Sequence, residues 1–331
     1  MRLPRVKGEG RCTYQCWSSA VEGRLIFGHG GLGAKKFRSM LYGLAAFMGI
    51  RILRCTLMGD HFHILFQVDK PKRLSLKTML RRIGAYYGKA HLQALLKKIR
   101  KVTDPAQRKA LIERLLKPYR KRMNDLSTLM KELKGGFASW YNKVYKRYGV
   151  LWAERFKSVL LETGYAVATV AAYLDLNPVR AGLCTDPKDY PYCGYAEALA
   201  RGSPEDQENL RIILDLPETT SWEELCREYR KHLFMRGSLA SKNHPAAFTP
   251  EQVEKVVEQE NGDLSAAELL RCRIRYFSDG VILGSRDFVQ AHFERLKETL
   301  GYKRKNGPAL VKILPRAGLW AFRSQRARKF G

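Results

Sequence analysis

The chain has 331 residues, with 60 Lys and Arg against 32 Asp and Glu, a formal net charge of +28, and 45% hydrophobic residues. That length allows one larger domain and a smaller companion with ample material for a core, and the positive field suits a polyanion, nucleic acid first. No apolar run reaches the ~20 residues of a spanning helix, the basic start lacks a signal-peptide core, and the cysteines form no CxxC pair, so a membrane span, secretion, a disulfide framework and a structural zinc site are not indicated. A cytoplasmic, nucleoid-associated protein is expected.

In chain order, residues 11–20 (RCTYQCWSSA) and 23–28 (GRLIFG) read as two short strands, with Cys12 and Cys16 as strand residues. The HGGLG run at 29–33 has no Lys-Ser/Thr after it, so it reads as a loop and not a phosphate cradle. Phe37, Met40, Leu41, Leu44, Ala45 and Met48 then recur at helical spacing. Segments 50–58 and 62–68 read as paired strands joined near Gly59-Asp60. Side chains alternate across a strand, so His61 and His63 share one face while Phe62, Ile64 and Phe66 share the other. Residues 74–99 carry a helical stripe of Leu76, Met79, Leu80, Ile83 and Tyr87, which gives the order ββαββα.

From 97 to 134 Lys and Arg dominate, broken at Asp104-Pro105 and Pro118, and a basic helical insertion is expected over 92–135. Its KKIRK and KPYRKR runs, the second containing Lys121 and Arg122, suit phosphate contact. In FASWYNKVYKRYGVLWAERFKSVLLE at 137–162, rings alternate with cations such as Lys143, Lys146, Arg147, Arg155 and Lys157. Such interleaving suits single-stranded nucleic acid, because base planes stack on rings while cations meet phosphates; core packing is expected to claim about half of these rings.

Residues 163–177 form the next helix, with Thr163 as candidate N-cap, Val167, Val170, Ala171 and Leu174 as packing stripe, and Pro178 as its stop. Tyr173 and Asn177 lie one turn apart on a common side of it. Taken alone, such a Tyr reads as an interface aromatic. A helical linker region follows over 199–248. Thr249-Pro-Glu-Gln252 and Ser265-Ala-Ala-Glu268 are capping-box patterns, and Ser285 is a further cap for a helix ending before Gly301. Region 249–331 is therefore expected to be all-α. It is either a helix-turn-helix-like unit with Arg286 and Gln290 near the front of a DNA-reading helix, or a bundle that packs on the rest.

Two imidazoles on one strand face can ligate a divalent metal, and a third ligand from elsewhere leaves positions for a phosphate oxygen. Half-buried strand histidines show the same pattern without a metal. Three segments decide between these. GDHFHILFQ at 59–67, GVLWAERFKS at 149–158 and YLDLNPVRAGL at 173–183, in that order, resemble REP-associated tyrosine transposases, a branch of the HUH single-strand nucleases related to single-tyrosine insertion-sequence transposases. The likeness covers 1–198, and its most specific block is Tyr-x-x-x-Asn-Pro-Val-Arg-Ala-Gly.

The resemblance implies an α+β fold in which a ferredoxin-like antiparallel sheet carries the histidines. It implies His61 and His63 as metal ligands, Asn177 completing the site, Tyr173 as nucleophile, and Mg2+ or Mn2+ as the ion. The implied partner is single-stranded DNA folded as a hairpin of a palindromic repeat, cut nearby to leave a 5′-phosphotyrosine and a free 3′-hydroxyl. Lys121, Arg122, Lys143, Lys146, Arg147, Arg155 and Lys157 are the expected DNA contacts. Gly59-Asp60 stands where the family commonly has Pro-Asn or Ser-Asn, a departure that removes no reactive group. The alternative is a non-catalytic structured-DNA or RNA binding regulator on the same fold. It has no evident need for His61, His63, Tyr173 and Asn177 together.

Overall fold

The protein is described here from a computed structural model, over residues 5–28, 31–70, 72–237, 280–300, 307–311 and 319–323. Strand β1 (Cys12–Ser19) leads through a 3-10 turn at Val21–Gly23 to α1 (Leu32–Met48), and then β2 (Arg51–Leu57) and β3 (His61–Val68) form a hairpin. Four helices follow: α2 (Leu76–Tyr87), α3 (Lys89–Arg100), α4 (Pro105–Arg120) and α5 (Leu126–Val144). Next come β4 (Lys157–Leu161), α6 (Tyr165–Arg180), α7 (Gly194–Arg201), α8 (Pro204–Leu214) and α9 (Trp222–Gly237). The C-terminal part supplies β5 (Gly280–Gly284), α10 (Arg286–Leu300), β6 (Ala309–Leu310) and β7 (Trp320–Arg323).

All seven of these strands join one sheet in the order β2-β3-β1-β4-β5-β7-β6. Each neighbouring pair among its first four strands is antiparallel, and β1-α1-β2-β3-α5-β4 arranged as β4-β1-β3-β2 is the split β-α-β order expected of a ferredoxin-like sheet. The fold is thus α+β, with one departure: β5 joins β4 in parallel.

Strand alternation divides the core into two layers. Tyr14, Cys16, Phe62, Ile64, Phe66 and Leu160 face α1 and α5, where Phe37, Leu41, Leu133 and Phe137 meet them. Leu65, Val159, Leu161 and Leu283 face the other way, onto Val167, Val170, Ala171 and Leu174 of α6 and onto α8 and α9 behind it. The histidine-bearing face is therefore a packed face along most of β3 and opens only toward its first residues.

Several expectations need correction. Residues 23–28 are not a strand, because Glu22 and Gly23 adopt positive φ (57° and 63°) and turn the chain. The helix expected over 74–99 is two, parted at Gly88 with φ 90°. Helix α6 starts after Gly164, with no side-chain cap from Thr163, and passes through Pro178. The all-α C-terminal region is overturned by β5, β6 and β7. GVILG and WAFR are too short to show any periodicity, and pairing with neighbours makes them strands. Ser285 does cap α10, accepting a hydrogen bond from Phe288 N (3.3 Å), but Val289 and Phe293 of that helix are buried and the Arg286 guanidinium lies 5.3 Å from the Trp320 ring centroid, so α10 packs on the sheet. The patterns at 249–252 and 265–268 lie outside the described residues. No described helix is long and apolar enough to cross a membrane.

Candidate active site

His63 stands in a row across four strands, opposite Thr56 on β2 and Trp17 on β1, with Lys157 on β4 opposite Trp17. His61, two residues earlier on the same face, pairs with Ser19 at the open end. The two imidazole rings are 5.2 Å apart and nearly perpendicular. His63 is buried, and burial first and His61 second push its pKa well below the ordinary histidine value, so it is neutral at pH 7. His61 is more open, and its Nδ1 is 2.6 Å from Asp60 Oδ1.

Helix α6 brings the tyrosine. The Tyr173 ring meets the His63 ring edge-on at 5.8 Å, and Tyr173 is only 4% exposed. Burial pushes its phenol up to about 12, while the Arg180 charge and the Asn177 side chain pull it back. The Arg180 guanidinium lies 5.3 Å from the Tyr173 ring centroid. Asn177 explains why α6 survives its proline. Pro178 has no N–H to give the Leu174 carbonyl, and the Asn177 Nδ2 donates to Tyr173 O (3.0 Å) and toward Leu174 O (3.5 Å). The strand face and helix face thus meet within one chain.

No group of three or more His, Cys, Asp or Glu is placed to hold a metal among the described residues; the strand face offers the two imidazoles, while the Asn177 amide is held to its own helix by Tyr173 O and Leu174 O. With Asp60 accepting from Nδ1–H, His61 keeps its Nε2 lone pair for a metal. Gln15, fully buried on β1, sets its Nε2 3.4 Å from His63 Nδ1, and its Oε1 is buried without a hydrogen-bond partner. Turning that amide over sets Oε1 against Nδ1–H and gives His63 the same tautomer.

The expected DNA contacts divide by place. Lys157 Nζ sits 4.4 Å over the Trp17 ring and 3.0 Å from Glu154 Oε1, in the His63 row. Arg155 is exposed just before it, Lys143 is exposed in the last turn of α5, and Lys146 is exposed in the loop that returns to the His61 end, with Arg147 folded into that loop. Lys121 and Arg122 are not brought there. They precede Asn124, whose Nδ2 donates to Asp69 O (3.0 Å) at the far end of β3, and Arg122 is held by Tyr87 and Glu132 over the Phe47 ring.

Sequence reading passed over Gln15, Trp17, Asp60 and Arg180. Only spacing hinted at three of them, and nothing local marked Asp60. Gln15 and Trp17 show the same two-residue alternation as the histidines, and Arg180 lies two helical turns beyond Tyr173.

No protein-family model matches the sequence, and no curated protein matches it. Among solved structures, one described as a REP-associated tyrosine transposase bound to a REP hairpin is similar with a TM-score of 0.39 and 14% identity, over 62% of this chain and 90% of that one. The likeness is a distant one.

Proposed function

We propose that the chain is a metal-dependent single-stranded DNA endonuclease and strand transferase, with Tyr173 as nucleophile and a hairpin-forming palindromic repeat as its substrate. The observation that carries this reading is the meeting of Tyr173 with the His61–His63 pair: the ring is 5.8 Å from His63 in an otherwise buried layer. A lone structural tyrosine has no need of two neighbouring histidines on the facing strand and an arginine over its ring.

In this reading His61, His63 and Asn177 would hold a divalent ion, which when bound would supply positive charge at the scissile phosphate. The Tyr173 oxygen loses its proton and attacks phosphorus, the bond to the 3′-oxygen breaks, and that oxygen takes up a proton. The product is a 5′-phosphotyrosine and a free 3′-hydroxyl, and attack by a 3′-hydroxyl on the phosphotyrosine reverses the step. Arg180 first, and the Asn177 side chain second, favour the phenolate. Lys157 and Arg155, beside the His63 row, meet the flanking phosphates. Residues 1–198 form the catalytic segment in this reading, with 199–248 as a connecting region and 249–331 as an accessory to DNA binding; the protein works in the cytoplasm at the nucleoid.

The test is a labelled single-stranded hairpin incubated with protein and Mn2+ or Mg2+. Wild type is expected to give a denaturation-resistant adduct, Tyr173→Phe none, and a His61→Ala/His63→Ala double variant none. Cleavage without any adduct would reassign the chemistry to an activated water. Salt-sensitive, metal-independent binding without cleavage would leave a nucleic-acid binding regulator.

A further inference from the structure

The ring-and-cation segment that follows α5 does not treat its rings alike. Phe137 and Tyr141 are buried, and Trp140 and Trp152 pack against the same core. Tyr148 is 94% exposed and Val150 74% exposed. The loop that shows them is nevertheless wired in place. Arg147 N donates to Asn142 O (2.7 Å), Asn142 Nδ2 donates to Gly149 O (2.9 Å), and the Arg147 guanidinium donates to Asn142 Oδ1 (3.2 Å) and Val150 O (3.1 Å). Lys146 takes a left-handed φ of 47° and Gly149 one of 88° to complete the turn. Holding a non-glycine residue there costs energy that no contact of Tyr148 with the protein repays.

The loop also has a definite address. Val21 N donates to Leu151 O (3.0 Å), and Ala20 N donates to Asp60 O (2.8 Å), which ties the loop's end to the residue that holds His61. Segment 143–150 contains Lys143, Lys146 and Arg147 and no acid.

We propose that Tyr148 is a stacking platform for one unpaired base of single-stranded DNA, with Lys143 and Lys146 on the flanking phosphates, at the exit of the strand from the His61 end of the site. The proposal rests on the single-strand reading given above and adds to it a residue that grips the strand outside the chemistry. A phenol ring with both faces in water gains by covering them with a base, and every base offers such a plane, so the grip is tolerant of sequence.

Metal-free binding of a fluorescent single-stranded DNA oligonucleotide separates this from the wider reading. Tyr148→Ala is expected to weaken binding about tenfold, by the same factor at low and high salt, because stacking releases no counterions. Tyr148→Trp keeps wild-type affinity, and its added emission is quenched by the strand. If wild type binds the oligonucleotide and Tyr148→Ala matches it, stacking is rejected while the enzyme reading stands. A wild type that binds no single-stranded DNA rejects both. An effect of Tyr148→Ala confined to an RNA oligonucleotide overturns the assignment to DNA.

Discussion

At the scale of single residues, the shared face of His61 and His63 and the one-turn spacing of Tyr173 and Asn177 were legible because alternation on a strand and the period of a helix are local rules that survive folding, whereas the roles expected of them came from the resemblance. Their supports were not, since Gln15 and Asp60 matter only through where they sit relative to an imidazole. Lys134 shows the same limit. It lies in a basic run and reads as a solvated charge, yet it is buried, its Nζ donating to Ser18 Oγ and Glu154 O (both 2.6 Å) beside the Trp152 ring. Burial lowers its pKa to about 8. Between that value and the ordinary lysine value near 10.4 the unfolded chain holds the proton and the folded one does not, so stability rises with pH through this window. Urea unfolding at pH 7.5 and pH 9.5, compared with Lys134→Met, is expected to show wild type gaining on the variant as pH rises. An unchanged difference would place the Lys134 charge in solvent.

At the scale of elements, existence was easier to read than extent. Helix α6 was expected to stop at Pro178, yet it runs to Arg180. What fixes it is tertiary. Asp175, fully buried, accepts from Arg54 Nε (3.2 Å), Tyr229 OH (2.5 Å), Tyr195 N (3.2 Å) and Cys193 Sγ (3.2 Å), and so ties α6 to β2, α7 and α9. This cluster lies two residues beyond Tyr173 and holds the helix that presents it. Asp175→Leu strands the Arg54 charge in the core, and a loss of about 3–5 kcal/mol is expected in urea unfolding. Adding Arg54→Met to that variant is expected to recover part of the loss, because the stranded charge is then gone. A double variant no more stable than Asp175→Leu would show that packing, not the charge, sets the cost. The C-terminal strands were illegible for a related reason: three apolar residues between glycines become a strand only when an edge is waiting for them.

At the scale of the whole molecule, charge is concentrated as well as large. Residues 70–124 contain 18 Lys and Arg against two acids, Asp104 and Glu113, so α2, α3 and α4 form a basic arm on the side of the sheet opposite α6. A duplex stem laid along that arm would release counterions from each phosphate it meets. Replacing the exposed Lys97, Lys98, Arg100 and Lys101 by Gln is expected to flatten the salt dependence of hairpin binding, by about 0.9 in the log–log slope for every duplex phosphate that the arm then fails to neutralise. Adduct formation by DNA already bound should be unchanged. An unaltered slope would show that the arm is solvated and not engaged. The sheet itself sets a timetable for making the protein. Strand β4 finds β5 only after the whole stretch from Leu161 to Leu283 has been translated, which at about 5–20 residues per second takes on the order of ten seconds. Until then the far edge of β4 lies open on the nascent chain, a template for any neighbouring strand. Slow translation of 162–283 lengthens that exposure, so the yield of correctly closed protein depends on the message as well as on the amino acids it encodes.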